Sequence, residues 1–240
     1  MTDIPESHPR YLSLKTREKL VQGVEEGMTS KAGLIAHGRG EAFDYLLGEE
    51  TTPFAEKAER YALKLMKEAD NAVISINGNV AALVPDSIVK LGQDLNAKLE
   101  VNLFHRTDKR MELIEKKLRD NGAEEVLGSE PDAKIPDLEH ARALCSEEGI
   151  YSSDVVLVPL EDGDRAKALS DMGKTVITID LNPLSRTAQV SDVTIVDNII
   201  RAVPNMNKQE PLEEGFSNHK NLNRTLKYMS QRLFDLAEEL

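Results

Sequence analysis

Apolar residues along this chain change their spacing twice, and the changes divide it into three regions. In residues 1–70 they recur at three and four, the period of helices. Leu14, Leu20, Val21 and Val24 follow that spacing among charges, so a first helix is expected from a Ser13 cap to Glu26, stopped by Gly27. A second is expected from Ser30 to Leu47, closed by Gly48. A third begins with Thr52 as cap and Pro53 in the first turn. Its apolar stripe is Phe54, Ala58, Tyr61, Ala62, Leu65 and Met66.

In residues 71–206 short apolar runs alternate with amphipathic ones. Strands are expected at 72–76, 99–104, 125–127, 155–160, 175–179 and 193–196. Helices are expected between them near 86–95, 109–121, 138–147 and 165–172. Strands alternating with crossover helices predict an α/β class: a Rossmann-like, mostly parallel sheet covered on both faces. The link from Asp180 to Asp192 is too short for a full crossover helix. Residues 207–240 read as a polar linker and a closing amphipathic helix, with Leu222, Leu226, Met229, Leu233 and Leu236 on one side. The helical N-terminal region (1–70), the core (71–206) and the closing segment (207–240) are expected to form one compact domain.

Composition narrows the function. The 240 residues are 40% hydrophobic, enough for an ordinary core without disulfide or metal staples. Cys145 is the only cysteine, and its place in an expected helix suggests a small core residue. The net charge of −12 argues against a general nucleic-acid binder, which needs a basic face. No apolar run approaches the ~20 residues that span a bilayer, and the first residues do not read as a signal peptide. A cytoplasmic protein is expected.

In an open parallel sheet, ligands bind beyond the carboxyl ends of the strands. Those ends carry Asn77-Gly78-Asn79, then His105-Arg106-Thr107-Asp108, then the stretch from Asp180 to Thr187, then Asp197-Asn198. The first turn is neither a dinucleotide fingerprint nor a phosphate loop, and serves either as a plain strand-to-helix turn or as a ligand contact. Asp180 is placed to accept from ribose hydroxyls, with Asn182 adding an amide and Arg186 and Thr187 meeting a phosphate. A capped loop with a solvated arginine is the alternative. The segment from Thr29 to Glu41 holds Gly33, Gly38 and Gly40 inside a helical pattern, each costing about 1 kcal/mol against Ala. Close helix packing offsets that cost, or a ligand does. His37 and Glu41 lie at i and i+4, so the carboxylate is placed to orient the imidazole. No His, Cys and carboxylate cluster has zinc spacing.

Longer blocks carry a resemblance. IPESHPRYLSLKTREKL, SKAGLIAHGRGEAFDYLLGE, ADNAVISINGNVAALVP and ITIDLNPLSRTAQVSDVTIVDNIIRAVPNM are similar to the archaeal phosphopantothenate synthetases, the 4-phosphopantoate–β-alanine ligases of coenzyme A biosynthesis. The resemblance covers essentially the whole chain. It implies that ATP, 4-phosphopantoate and β-alanine give 4′-phosphopantothenate, AMP and pyrophosphate. It also implies a phosphopantoyl-adenylate intermediate, Mg²⁺ and a homodimer. The family's ATP-contacting positions fall on Arg17, Arg39, Asp180, Leu181, Asn182, Arg186, Thr187, Asn198 and Ile199. Arg17 and Ile199 rest on the resemblance alone.

That chemistry suits these residue types. Attack of a carboxylate on the α-phosphorus brings two anions together, so Arg39 and Mg²⁺ are expected to offset the charge. The amine of β-alanine must lose a proton, and His37 is the expected base, oriented by Glu41. The substrate phosphate is expected on a cradle of Asn77, Gly78 and Asn79 with Lys31. The readings that compete are another nucleotide-dependent transferase and a non-catalytic nucleotide-binding regulatory module.

Overall fold

Near-continuous apolar runs can be satisfied only where both faces of a strand are covered. Five strands lie side by side here, and four of them are such runs. The computed structural model describes residues 4–8 and 10–239. The chain opens with α1 (Tyr11–Glu25), α2 (Lys31–Leu47) and α3 (Pro53–Glu68). It continues through β1 (Ala72–Ile76), α4 (Gly78–Leu83), α5 (Pro85–Asp94), β2 (Lys98–Val101), α6 (Asp108–Asp120), β3 (Ala133–Lys134) and β4 (Leu144–Cys145). Then come β5 (Val155–Leu157), α7 (Gly163–Asp171), β6 (Thr175–Ile179), α8 (Arg186–Val190), β7 (Val193–Ile195), α9 (Ile199–Met206) and α10 (Asn218–Glu239).

The main sheet has the order β2-β1-β5-β6-β7 and every pairing is parallel. Alternate side chains enter different cores. Ile74, Leu157 and Ile177 pack with α3, α5 and α9 residues, while Val73, Val156 and Val176 pack with Ile135, Ile150 and Leu169 on the other face. This is the expected α/β class, with its N-terminal helices and closing helix in place. The 180–192 link makes its crossover with the five residues of α8.

Local signals set the helix ends. Ser30 accepts from the Gly33 N–H, and Thr52 accepts from the Ala55 N–H. Gly48 ends α2 at φ +94°, where an L side chain is strained. The first helix departs from expectation. It starts at Tyr11, Ser13 lies inside it and buried, and the buried face is Ser13, Thr16, Leu20 and Gly23. That small-residue face lets α1 press against α4, and it leaves Val21 exposed. On α10, Leu222 and Met229 are buried, whereas Leu233, Phe234 and Leu236 face outward.

The largest correction concerns residues 122–152. The expected strand at 125–127 is reduced to one bridge between Leu127 and Glu100. The expected helix at 138–147 does not form. A 3₁₀ turn (Ala141–Ala143), the two residues of β4 and a π-type turn (Glu147–Tyr151) replace it. Cys145 is therefore on a strand, paired with Ala133, and buried. The cause is β2. Lys98, Glu100 and Asn102, two residues apart, reach the same segment: Lys98 Nζ donates to Glu148 O (2.7 Å), and Glu100 accepts from the N–H groups of Ser146 (2.9 Å) and Ile150 (2.7 Å). Asn102 Nδ2 donates to Leu144 O (2.9 Å). Backbone groups that a helix would use internally are committed to these side chains.

One buried acid gives the fold a pH dependence. Glu59 on α3 is fully buried; one oxygen accepts from Gln209 Nε2 (2.8 Å) and the other has no partner. Burial is the main cause that pushes its carboxyl up from 4.5 to about 8. Its contribution to stability is therefore complete below pH 4.5 and is lost as the pH rises through about 8. Glu59→Gln should raise the melting temperature at pH 8 by roughly 5 °C and leave it nearly unchanged at pH 4.5, by thermal denaturation followed by circular dichroism.

Candidate functional site

The strand order reverses between β1 and β5: from β1 the chain moves outward to β2, then returns to the other side. A crevice opens at such a point beyond the carboxyl ends of the strands. A cleft of about 590 Å³ lies there, with α2 along one side. Four arginines line it (Arg39, Arg110, Arg142 and Arg186) with His37 and His105, against three carboxylates, Glu161, Asp162 and Asp180. The cleft thus reverses the sign of a chain whose net charge is −12.

On the β6 side, Asp180 continues the strand and its carboxylate holds the next loop. It accepts from the Asn182 N–H (2.9 Å) and from the Ser185 hydroxyl. Those bonds use two of roughly four lone-pair sites, so capacity for hydroxyl donors remains. Burial pushes its pKa up, while the Ser185 and Asn182 bonds and the Arg39 charge pull it back. Ser185 caps α8 through the Ala188 N–H (2.9 Å). Arg186 pairs with Asp164 on the surface, and Thr187 donates to Glu161 O (2.9 Å).

The floor is a buried ion cluster. Glu161 pairs with both Arg142 and Arg165, and Asp162 lies 3.7 Å from Arg142 Nε. Arg165 also donates to Ser75 Oγ on β1 (3.2 Å). Burial pulls the Arg142 guanidinium down to about 9 and the Arg165 guanidinium to about 10, and both are still cations at neutral pH. Three chain segments meet at this carboxylate.

On the β1 side, Asn77 caps α4 by accepting from the N–H groups of Asn79 (3.0 Å) and Val80 (3.1 Å). Its amide donates to Pro159 O (2.9 Å), which ties β1 to the end of β5. Gly78 faces Met28 O so closely that a Cβ would lie 2.2 Å from it. Arg110 donates to that same oxygen (2.7 Å).

The residues expected from sequence divide by position. His37, Arg39, Asn77, Gly78, Asn79, Asp180, Leu181, Asn182, Arg186 and Thr187 line one cleft. Arg17, Lys31, Asn198 and Ile199 do not. Lys31 is exposed, and the Asn79 and Val80 amides are taken by Asn77, so the expected phosphate cradle is not assembled. Glu41 pairs with Arg17 (3.5 Å) rather than with His37. His37 is buried, and its Nε2 has no hydrogen-bond partner. Burial lowers its pKa below 6.5 and Arg17 adds to this, while the carboxylate pulling the other way is Asp44. Asp44 accepts from Asn198 Nδ2 (2.9 Å) and pairs with Arg201. Arg17 also donates to Tyr45 OH (3.0 Å). Arg17 and Asn198 therefore brace α2, which carries His37 and Arg39.

Sequence reasoning missed Glu161, Asp162, Arg110 and Arg142. The rule of polar residues after a strand finds the first two, since they follow the apolar run ending at Leu160. Arg142 carried no signal, because its segment reads as a helix. Among the described residues no group of three or more His, Cys, Asp or Glu side chains is placed to hold a metal.

Comparison with known proteins gives the family. Residues 54–235 match the family described as phosphopantothenate/pantothenate synthetase. A protein of Thermococcus onnurineus named 4-phosphopantoate--beta-alanine ligase is 54% identical over 99% of this chain and 96% of its own length. Proteins of the same name from Thermococcus kodakarensis (54% identity, 100% and 97%) and Methanosarcina mazei (53%, 100% and 99%) are similar over their full lengths. The chain belongs to the phosphopantothenate/pantothenate synthetase family.

Proposed function

We propose that this chain is a 4-phosphopantoate–β-alanine ligase that uses ATP and releases AMP and pyrophosphate. The observation that carries the reading is the arginine-rich cleft across the β1–β5 reversal. It is large enough for two anions, and it is cationic in an acidic chain. The relatives' shared name supports the substrates.

The nucleotide takes the β6 side. Asp180 accepts from the ribose, Asn182 and Leu181 shape that wall, and Arg39, Arg186 and Thr187 meet the phosphates. Six of the nine nucleotide positions implied by the family resemblance line the cleft; Arg17, Asn198 and Ile199 act through the placement of α2 and the start of α9. In the first step the substrate carboxylate oxygen bonds to the α-phosphorus and the bond to pyrophosphate breaks. Guanidiniums offset the charge that builds on the leaving group. Mg²⁺ bound to ATP supplies further neutralisation. The cleft carboxylates fit that role only as partners of a phosphate-held ion, because Glu161 and Asp162 are already matched to Arg142.

In the second step the β-alanine nitrogen bonds to the acyl carbon and AMP departs. The amine must first be deprotonated. His37 is the base: its Nε2 is unpartnered, and burial keeps the ring neutral at pH 7. A second copy of the chain completes the assembly, covering apolar side chains exposed on α1 and α2 such as Leu12, Val21 and Ile35. No helix among the described residues is long and apolar enough to cross a membrane.

Three outcomes follow. Chromatography of nucleotides after incubation with Mg-ATP, 4-phosphopantoate and β-alanine should show AMP and pyrophosphate with the full set, and an adenylate when β-alanine is omitted. ADP and phosphate would replace the adenylate by an acyl phosphate. The kcat of the wild type should fall only below pH 6.5, as His37 gains its proton. His37→Gln should lose that limb and about a hundredfold in kcat; an unchanged profile would remove His37 from the role. Light scattering should give about twice 26.7 kDa in solution.

A further inference from the structure

The imidazole that takes the proton in the reading above shares its helix face with a second carboxylate. Asp44 follows His37 by seven residues, two turns on, which returns it to the same face of α2 about 10 Å along the axis. Both side chains are buried, Asp44 at 5% exposure and His37 at 7%. Glu41, the carboxylate that helix spacing favours, is taken by Arg17.

Asp44 is clamped from outside the helix. Asn198 Nδ2 donates to its Oδ2 (2.9 Å), and Arg201 reaches both oxygens, Nη1 to Oδ2 (3.2 Å) and Nη2 to Oδ1 (2.5 Å). The same guanidinium turns its Nε to Asp197 Oδ1 (2.9 Å) at the end of β7. The other Asp197 oxygen accepts from the Thr51 hydroxyl (2.6 Å). Two carboxylates thus share one guanidinium, and the remaining contacts are neutral donors. One negative charge stays uncompensated beside α2. Glu59, the next acid beyond Asp197, does not add to it at neutral pH, since burial pushes its carboxyl up to about 8.

The other charges around His37 are matched or stand further along the helix. From α1 comes Arg17, which opposes protonation of the ring. The segment of α4 holds no titratable side chain. From α10, Leu222 and Met229 cover α2, Arg232 stands against Gly48 at the far end, and Tyr228 is bonded to Glu50. On α8, Arg186 is paired with Asp164, and after β6 Asp180 faces the charge of Arg39. Burial and Arg17 both disfavour a proton on His37; Asp44 acts against them.

We infer that Asp44 is the positioning residue of His37: held by Arg201 and Asn198, it fixes the face of α2 that presents the imidazole and stabilises the imidazolium formed when Nε2 accepts the β-alanine proton. In that transfer an N–H bond of the ammonium breaks, its electron pair stays on the nitrogen that attacks the acyl carbon, and the proton ends on Nε2. A fixed negative charge strengthens the base where burial weakens it. The inference rests on the reading of His37 as base and adds the group that sets its strength.

The test uses the full chain and two readouts. Nuclear magnetic resonance of histidine-labelled protein follows the His37 ring through its titration, with its signal assigned from His37→Gln; steady-state kinetics gives kcat and the KM for ATP against pH. Asp44→Asn keeps the shape and leaves Arg201 matched to Asp197, so it should fold. It should lower the His37 midpoint by about half a pH unit, move the acid limb of kcat down by the same amount and reduce kcat about fivefold, with the KM for ATP changed less than twofold. Thr51→Val loosens the cluster without touching the charge at Asp44. It should lower the melting temperature and leave the His37 midpoint in place. An Asp44→Asn midpoint that stays or rises, or a Thr51→Val midpoint that falls equally, would overturn the inference, because Asp44 would then only brace the helix. Asp44→Ser, also uncharged, is the second variant should the first not fold, with the same fall expected. The midpoint is read without turnover: a lowered midpoint with an unmoved kcat limb would strike His37 from the role of base and still uphold the hold of Asp44 on the ring.

Discussion

One carboxylate holds the centre of this protein together. Glu161 stands between two buried guanidiniums, Arg142 and Arg165, at the place where the sheet reverses its direction of growth. Burying three charges is expensive, and removal of one partner from such a cluster typically costs about 3–5 kcal/mol. The return is positional. Arg165 ties Glu161 to Ser75 on β1, and Arg142 ties it to the irregular segment that covers one face of the sheet. The cluster thus joins three distant parts of the chain at the floor of the cleft, and two of its members, Arg142 and Glu161, also line that cleft.

The second constraint is the placement of α2. Its cap at Ser30 and its stop at Gly48 set its length, but its position comes from charges at its sides. Arg17 reaches Glu41 and Tyr45 from α1, and Asn198 and Arg201 reach Asp44 from the start of α9. A helix held this way carries His37 and Arg39 against the strand ends. Gly33 serves the same purpose: a Cβ there would lie 2.9 Å from Asn79 Oδ1, so α2 approaches the β1 turn closely. Its cost to helix stability is offset by this contact, whereas a Cβ on Gly38 would meet nothing within 4 Å and one on Gly40 only Leu181 at 3.9 Å.

Much of this was legible in the residues. Apolar runs at β1, β5, β6 and β7 located the sheet, and the polar residues after them located the cleft. Caps at Ser30 and Thr52 gave helix starts because the side chain that makes the cap is the one read. What stayed hidden depends on partners far away in sequence. The segment around Arg142 has a helical pattern, yet Glu100 and Asn102 of β2 capture its backbone. The pairing of His37 with Glu41 is favoured by helix spacing, yet Arg17 on another helix takes the carboxylate. Ser13 looks like a cap, yet it is a small residue at a helix crossing. In each case local propensity is overruled by one long-range polar contact or by close packing, and neither has a local signature.

The way residues 122–152 are held has a consequence for how the chain reaches this state. Part of their backbone, at Ser146, Glu148 and Ile150, is bonded to the side chains of a single strand, so that part gains its order only when β2 has joined the sheet. Local contacts form early in folding and distant ones late. Arg142 rides on this segment, so the floor of the cleft closes among the last events of folding. The chain acquires its shape first and its chemistry afterwards.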